Sequence, residues 1–490
     1  MSIERSSADH PSIVVVSVEH RDVDAAPPRR FGRWIAAATA ILVVLVGALA
    51  VVNSVQGPRI RTAELNPAAL VDRSGGRIVL TLSQRLSSES LDRLSIEPAV
   101  PMTATAAGNT VDVALDDTLA YGTAYTIGLP DAVGVYTANR SDLSYTFTTP
   151  DADLYTLLRD SRLGDDGLKR DDTIRRESLD ASVEATVVLS APRIEEYTTL
   201  PQHLAAVVLA DDGSASVVAA DADGGGAHSV LLPGVGTVRQ LYGSGRSELI
   251  GFSYTGSTPD SSIENVLLLY DPRDGSGVAR PVTGLDGGAL QVMDWAFVPG
   301  STSLVAQSYD GSLYLVDALS ATTLSALGQH GELRGFLPGS SRLVVADPDG
   351  DAVLDLAGGE TAPLEPARPA EGAGTYPGPR IYLDDERATA QLFTSPVGDT
   401  AESRFSSRIA VTDTAGTRVV YEPALPDTRI RDFCASPNGQ YLAVETAPAE
   451  ATLDDYPSVA AYSGMTTAIV EVATGDTVRT VYGFLPGWCR

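Results

Sequence analysis

Three stretches of this chain begin alike, and that repetition constrains the fold more than any other feature. DWAFVPGSTSLVAQSYDGSLYLVDAL (294–319) and RGFLPGSSRLVVADPDGDAVLDLAGG (334–359) share one order of parts, and RDFCASPNGQYLAVETAP (431–448) opens the same way. Each unit reads as an apolar strand, a Pro/Gly/Asn turn, a β-rich strand, an Asp-Gly turn, another β-rich strand and a shorter polar strand. Looser copies begin near Arg193, Val238 and Arg380. The intervals, about 40 to 55 residues, match the length of a four-stranded propeller blade. Six nearly complete blades fit between Arg193 and Tyr482. Three strand-like runs precede them (154–159, 173–179, 185–190), and one apolar run, 484–489, follows. One plus three predicts a seventh blade stitched from both chain ends, which pairs edges that would otherwise be exposed. Domain 151–490 is therefore expected to be a seven-bladed β-propeller.

Residues 70–150 carry shorter β signals. RIVLTLS (77–83), TVDVAL (110–115), TAYTIGL (123–129) and LSYTFT (143–148) alternate apolar and polar, and Gly108-Asn109, Asp116-Asp117 and Gly122 punctuate them. Such spacing predicts a small β-sandwich. LTLSQRL, LDRLSIEPAV, LAYGTAYTIGL and SYTFTTP resemble the bacterial Ig-like domain of the S-layer (SbsA) type. That resemblance implies a spacer or adhesion module without a catalytic motif. The later repeats resemble WD40-like and TolB-like blades, SPNGQYLAVE most closely, which implies a fold that hosts many unrelated activities.

Ahead of both lies WIAAATAILVVLVGALAVV (34–52), with no charged side chain over its 19 residues. As a helix it would rise about 28 Å, near the thickness of bilayer hydrocarbon. Arg29, Arg30 and Arg33 crowd its N-terminal side and neutral Asn53-Ser54-Val55-Gln56 follows it. The asymmetry predicts a single transmembrane helix, residues 1–33 as a disordered cytoplasmic tail and the bulk outside the cell. A signal peptide cut after Ala50 is the rival reading. Residues 53–69 read as a linker.

Charge narrows the partners. The formal net charge is -28, and all of it lies beyond the helix, where 58 acids face 30 bases. Such a surface repels nucleic acid and anionic polymers. Two cysteines, Cys434 and Cys489, are expected outside the membrane, and an even count in an oxidising compartment favours one bond. Aligning Gly487-Trp488-Cys489-Arg490 with Asp432-Phe433-Cys434-Ala435 makes them level on neighbouring inner strands and predicts a disulfide.

The search for chemistry yields little. Asp347-Pro348-Asp349-Gly350-Asp351 alternates carboxylates, but the twelfth position of a calcium loop would be Gly358. It reads as a hairpin turn, as do Tyr309-Asp310-Gly311-Ser312 and Asp271-Pro272-Arg273-Asp274-Gly275 in the same turn region of neighbouring blades. His203, His228 and His330 lack metal-ligand spacing, and a structural hydrogen bond is expected for His330. No nucleophile elbow, Walker loop or dinucleotide fingerprint occurs. Glu195-Glu196 and Asp384-Asp385-Glu386 read as solvated turns. The inner-strand runs offer Asp294, Arg334, Arg431 and Asp432 to a central channel.

No catalytic, cofactor or metal residue is expected. The reading is a non-catalytic, membrane-anchored binding or scaffold protein of the bacterial cell envelope, with the propeller engaging a protein or envelope partner. A lactonase- or lyase-like channel enzyme and a structural envelope component are the alternatives.

Overall fold

The computed structural model describes residues 29–489, apart from 56, 73–74, 136–138, 160–168, 258–261, 371–373, 384–387, 398–403 and 426. Among the described residues the protein is mostly β, with nine antiparallel sheets. One long helix, Arg29–Val55, leads into them. Trp34, Ile35, Ile41, Leu42 and Val44 on this helix are exposed rather than packed on the sheets. Among the described residues no helix is long and apolar enough to cross a membrane.

Two sheets form the first domain. One runs in the order Ile60–Glu64, Arg77–Leu82, Thr110–Leu115, Met102–Ala107; the other is Ser95–Glu97, Ala124–Val133, Arg140–Thr148. The alternation in Arg77–Leu82 and Thr110–Leu115 becomes alternating burial, which drives Ile78, Leu80, Leu82, Val111, Val113 and Leu115 into one core with Ile127 and Leu129. Burying each such side chain contributes about 1.5–3 kcal/mol. The reading of residues 53–69 as a linker is corrected. Ile60–Glu64 pairs with Arg77–Leu82, and Leu70 and Val71 of the short helix Pro67–Asp72 enter the same core. The segment is too short to show the alternation that marks the longer strands.

Seven further sheets follow. The first, Asp153–Leu158, Asp172–Ser178 and Thr186–Ala191, has three strands; the other six have four, each laid down in chain order. They start at Ile194–Thr199, Val235–Gly243, Asp294–Phe297, Glu332–Phe336, Tyr376–Tyr382 and Arg429–Ala435. Apolar residues bridge each sheet to the next: Val217 with Phe252, Leu267 with Trp295, Val305 with Leu343, Val344 with Tyr382, Ile409 with Phe433. Leu154 packs with Ala443 and Ile469, so the last sheet also meets the first. Radially stacked four-stranded meanders of this kind are a β-propeller.

The closing strand is shorter than expected. Phe484 alone pairs with Leu157, by hydrogen bonds of 2.8 and 3.0 Å. Beyond it Leu485 takes a positive φ of 52° and Pro486 has no N–H to donate, so a ladder cannot continue. The chain turns instead into a 3-10 helix, Gly487–Cys489. Gly483 permits the approach: a Cβ there would lie 2.9 Å from the Leu157 carbonyl oxygen.

The Cys434–Cys489 disulfide is present, with its Cα atoms 5.5 Å apart. Its expected register is corrected, because Cys489 sits in the 3-10 turn and not level on a strand. The bond also places Trp488 beside Tyr441, which stacks in turn on Tyr121 of the sandwich.

Candidate functional site

The first strand of most sheets is interrupted at the same place. Ile194 pairs with Val208 and Glu196 with Val207, leaving Glu195 as an extra residue. Arg334 is extra between Leu333 and Gly335, and Arg431 between Ile430 and Asp432. Longer irregularities take in Gln240 and Leu241, and Gly378 and Pro379. A bulge leaves its extra residue out of the ladder and re-aims its side chain. The single-residue bulges thus place Glu195, Arg334 and Arg431 at one level of the inner strands, and the longer irregularity in Val235–Gly243 adds Gln240. Among the described residues the first strands Asp153–Leu158 and Asp294–Phe297 pair without a shift.

Where the chain ends meet, these side chains are enclosed. The connection between Tyr441–Ala447 and Thr466–Glu471, residues 448–465, forms a strap over the first, second and last sheets. Glu195 is only 1% exposed, and its Oε1 accepts the N–H groups of Ser458 (3.0 Å) and Val459 (2.6 Å). Arg431 pairs with Glu445 at 2.5 Å and donates to the Ala460 carbonyl at 3.0 Å. Arg159 donates to the Asp454 carboxylate (2.7 Å) and to the carbonyls of Val459, Ile194 and Glu195. Its guanidinium lies 3.5 Å from the centre of the Tyr456 ring. Tyr456 donates to Asp172, which also accepts from the Ile194 N–H at 2.8 Å. Burial pushes the Asp172 and Glu445 carboxyls above their usual range, against the pull of these donors. Asp172 Oδ1 lies 3.5 Å from Lys169 Nζ, an ion pair without a hydrogen bond.

The reading of Glu195-Glu196 as a solvated turn is therefore wrong. Both lie buried on a strand, Glu196 at 2% exposure. The signal was available: RIEEY (193–197) aligns with RIRDF (429–433), which puts Glu195 level with Arg431. Asp384-Asp385-Glu386 lies outside the described residues.

Farther along the ring the equivalent position is open. A cleft of about 470 Å³ lies between the fifth and sixth of the seven sheets, lined by Arg334, Phe336, Asp351, Arg380, Tyr382 and Gln391 among others. Arg380 pairs with Asp351 at 2.5 Å, and Tyr382 donates to the same carboxylate oxygen at 3.0 Å. Burial raises the Tyr382 phenol to about 12, so it stays a donor at neutral pH. Arg334 pairs with Glu332 at 3.2 Å, with both side chains about half exposed (47% and 57%). Such a pair contributes only about 0–1 kcal/mol.

The other channel candidates separate. Asp294 accepts from Gln240 at 3.3 Å and from the Trp295 N–H, and its carboxyl is raised by burial and by nearby Glu332. Asp432 accepts from the Phe433 N–H. His330 donates to Asp347 at 2.8 Å, as a structural bond. Burial works upward on Asp347, but this bond and the Gly331 N–H outweigh it and hold the carboxyl below its usual range. The hairpins at Gly311 and Gly350 have the expected positive φ, 81° and 131°. Asp271 instead begins the connection from the third to the fourth strand of its sheet, so it does not share their turn. Among the described residues no cluster of His, Cys, Asp or Glu could hold a metal ion.

No family model matches the chain, and no curated protein matches it in sequence. Among solved structures it is similar to "Dihydro-heme d1 dehydrogenase NirN in complex with DHE". The two are 15% identical, with a TM-score of 0.42 over 68% of this chain and 74% of that one. Likeness at that level transfers neither activity nor ligand.

Proposed function

We propose that this is a non-catalytic binding or scaffold protein of the cell envelope, with the propeller as its interaction platform. The observation that carries the reading is the open cleft at Arg334 and Arg380, set beside the enclosed bulge residues Glu195 and Arg431 on other inner strands. A site kept open where its equivalents are sealed is available to an outside partner. We infer that the seven sheets are seven blades of one ring closed by both chain ends; the Leu157–Phe484 pair and the packing of Leu154 on Ala443 support this. The two-sheet domain serves as an Ig-like spacer. It docks on the last sheet through Asn438, which donates to the Leu119 carbonyl at 3.0 Å, and through Gln440, which accepts from the Tyr121 N–H at 2.9 Å.

The anchor is the apolar helix, N-terminus inside; its exposed Trp34, Ile41, Leu42 and Val44 support it, since lipid covers such side chains at no cost. Protease added to intact protoplasts should digest the chain beyond residue 57, and protection of that part would refute the orientation. Cross-linking in intact cells, followed by capture of the tagged full-length chain, tests the platform. Recovery of no stoichiometric partner under conditions that recover other envelope complexes would refute it.

A further inference from the structure

The strap shows what an arginine at this level of the ring takes when its site is filled. Arg431 donates to a strap carbonyl, Ala460, and Arg159 to both a strap carboxylate, Asp454, and a strap carbonyl, Val459. The occupant is an irregular acidic peptide, Asp454-Asp455-Tyr456-Pro457-Ser458-Val459-Ala460. Guanidinium forks suit that task, because they bind carboxylate and carbonyl oxygens in a fixed plane.

Arg334 stands at the register position of Arg431 but has no strap over it. The connection between Arg342–Asp347 and Gly350–Asp355 is only Pro348-Asp349, where the last sheet has residues 448–465. Its exposed pair with Glu332 is weak and yields to a better-placed carboxylate. The cleft lining carries two arginines against one acid, Asp351, which is already engaged by Arg380 and Tyr382. Glu332 beside the cleft answers Arg334, so the charges balance there, on a chain of net charge -28. Phe336, Val344 and Ile381 supply an apolar wall beside it.

We propose that the Arg334–Arg380 cleft binds an acidic peptide segment of a partner protein. A carboxylate of that segment sits on Arg334, and an adjoining apolar side chain packs against Phe336 and Ile381. This rests on the platform reading and names the chemistry of its partner. The surrounding acidic field opposes anions in general, so selection comes from contacts within the cleft.

The test uses the full-length chain in detergent micelles and a labelled peptide of residues 452–460, TLDDYPSVA, followed by fluorescence anisotropy. Saturable binding is expected. It should weaken about tenfold in Arg334→Gln, the loss of one charge-assisted hydrogen bond, and by a similar factor when both peptide aspartates are asparagine. Glu332→Gln, which frees Arg334, should bind as tightly as the parent or tighter. Absence of saturable binding, equal binding by Arg334→Gln, or equal binding of the asparagine peptide each overturns the proposal; the second also covers a peptide that only displaces the native strap. If Arg334→Gln captures the cross-linked partner as well as the parent does, the cleft assignment fails and the platform reading stands. If the parent captures none, the platform reading itself fails.

Discussion

Arg431 and Arg334 occupy the same bulge position on two inner strands, yet one is shut in and the other stands open. The difference lies in the connection between the second and third strands of each sheet. Residues 448–465 are long enough to cross to the neighbouring sheets, whereas Pro348-Asp349 can only reverse the chain. The apolar packing follows the same contrast. Around the chain ends, Leu157, Ile174, Tyr197, Leu204, Met465 and Phe484 share one core. Between the fifth and sixth sheets the core is small: Leu337, Val344 and Val353, flanked by Leu364 and Tyr382. The larger core lies where segments distant in sequence pack together, and the smaller one leaves room for the cleft.

The sharpest way to break this comparison is to cut the joint. Deleting residues 484–490 removes Phe484 and Leu485, 2% and 5% exposed and worth about 1.5–3 kcal/mol each. It also removes the disulfide, which closes a 55-residue separation and contributes about 4 kcal/mol through chain entropy. Together these approach the whole stability of a typical domain, about 5–15 kcal/mol. Calorimetry of the full-length chain should find the propeller transition lost or strongly lowered. Cys489→Ser separates the bond from the strand and should lower it less. A truncated chain melting like the parent would mean that the ends do not hold the ring.

Arg159→Ala comes next. It breaks a pair in which Arg159 is 7% and Asp454 22% exposed, and it removes the Arg159 donor from the Val459 carbonyl of the strap. Removing one partner of a buried pair costs about 3–5 kcal/mol, and the lower end applies because Asp454 keeps some solvent. Limited proteolysis should then cleave within residues 448–465; an uncut strap would show that other contacts suffice to hold it.

Asp172→Asn gives a smaller, pH-dependent effect. The folded-state pKa of Asp172 is raised by burial, so its contribution is full below the unfolded value of about 3.9 and is lost as pH rises through the folded one. Asparagine does not titrate in this range. The stability advantage of the parent over Asp172→Asn should therefore narrow as pH rises, as denaturant midpoints at several pH values can check. An advantage that widens would reverse the sign assigned here.

The smallest effect belongs to the open side. Arg334→Gln should change stability by less than about 0.5 kcal/mol, since an exposed pair holds little. A large loss there would make Arg334 structural and erase the contrast with Arg431.

Much of the architecture was legible because it rests on local patterns. Alternation in TVDVAL becomes a half-buried strand, and the repeats fall on sheets starting close to the expected residues. The four-strand repeat unit recurs, and the leftover runs near 154, 173 and 185 became the three-stranded sheet beside Phe484. The pairing of Cys434 with Cys489 was legible too, though not the turn that makes it. The candidate site was only half visible. Arg334 and Arg431 were singled out as inner-strand residues, but Glu195 was taken for a surface group and Arg159, Asp172, Tyr456 and Arg380 were not singled out.

By itself the sequence determined the β architecture and the length of the four-strand repeat, because periodicity and turn residues act between near neighbours along the chain. The tertiary structure alone decided which bulge is sealed and which is open. That depends on where residues 448–465 land, and the partners they meet there, Arg159, Asp172 and Glu195, lie more than 250 residues away along the chain. Burial and pairing at such separations have no local signature, so the same Arg or Glu on the same bulge becomes a structural tie or a contact for a partner according to what folds over it.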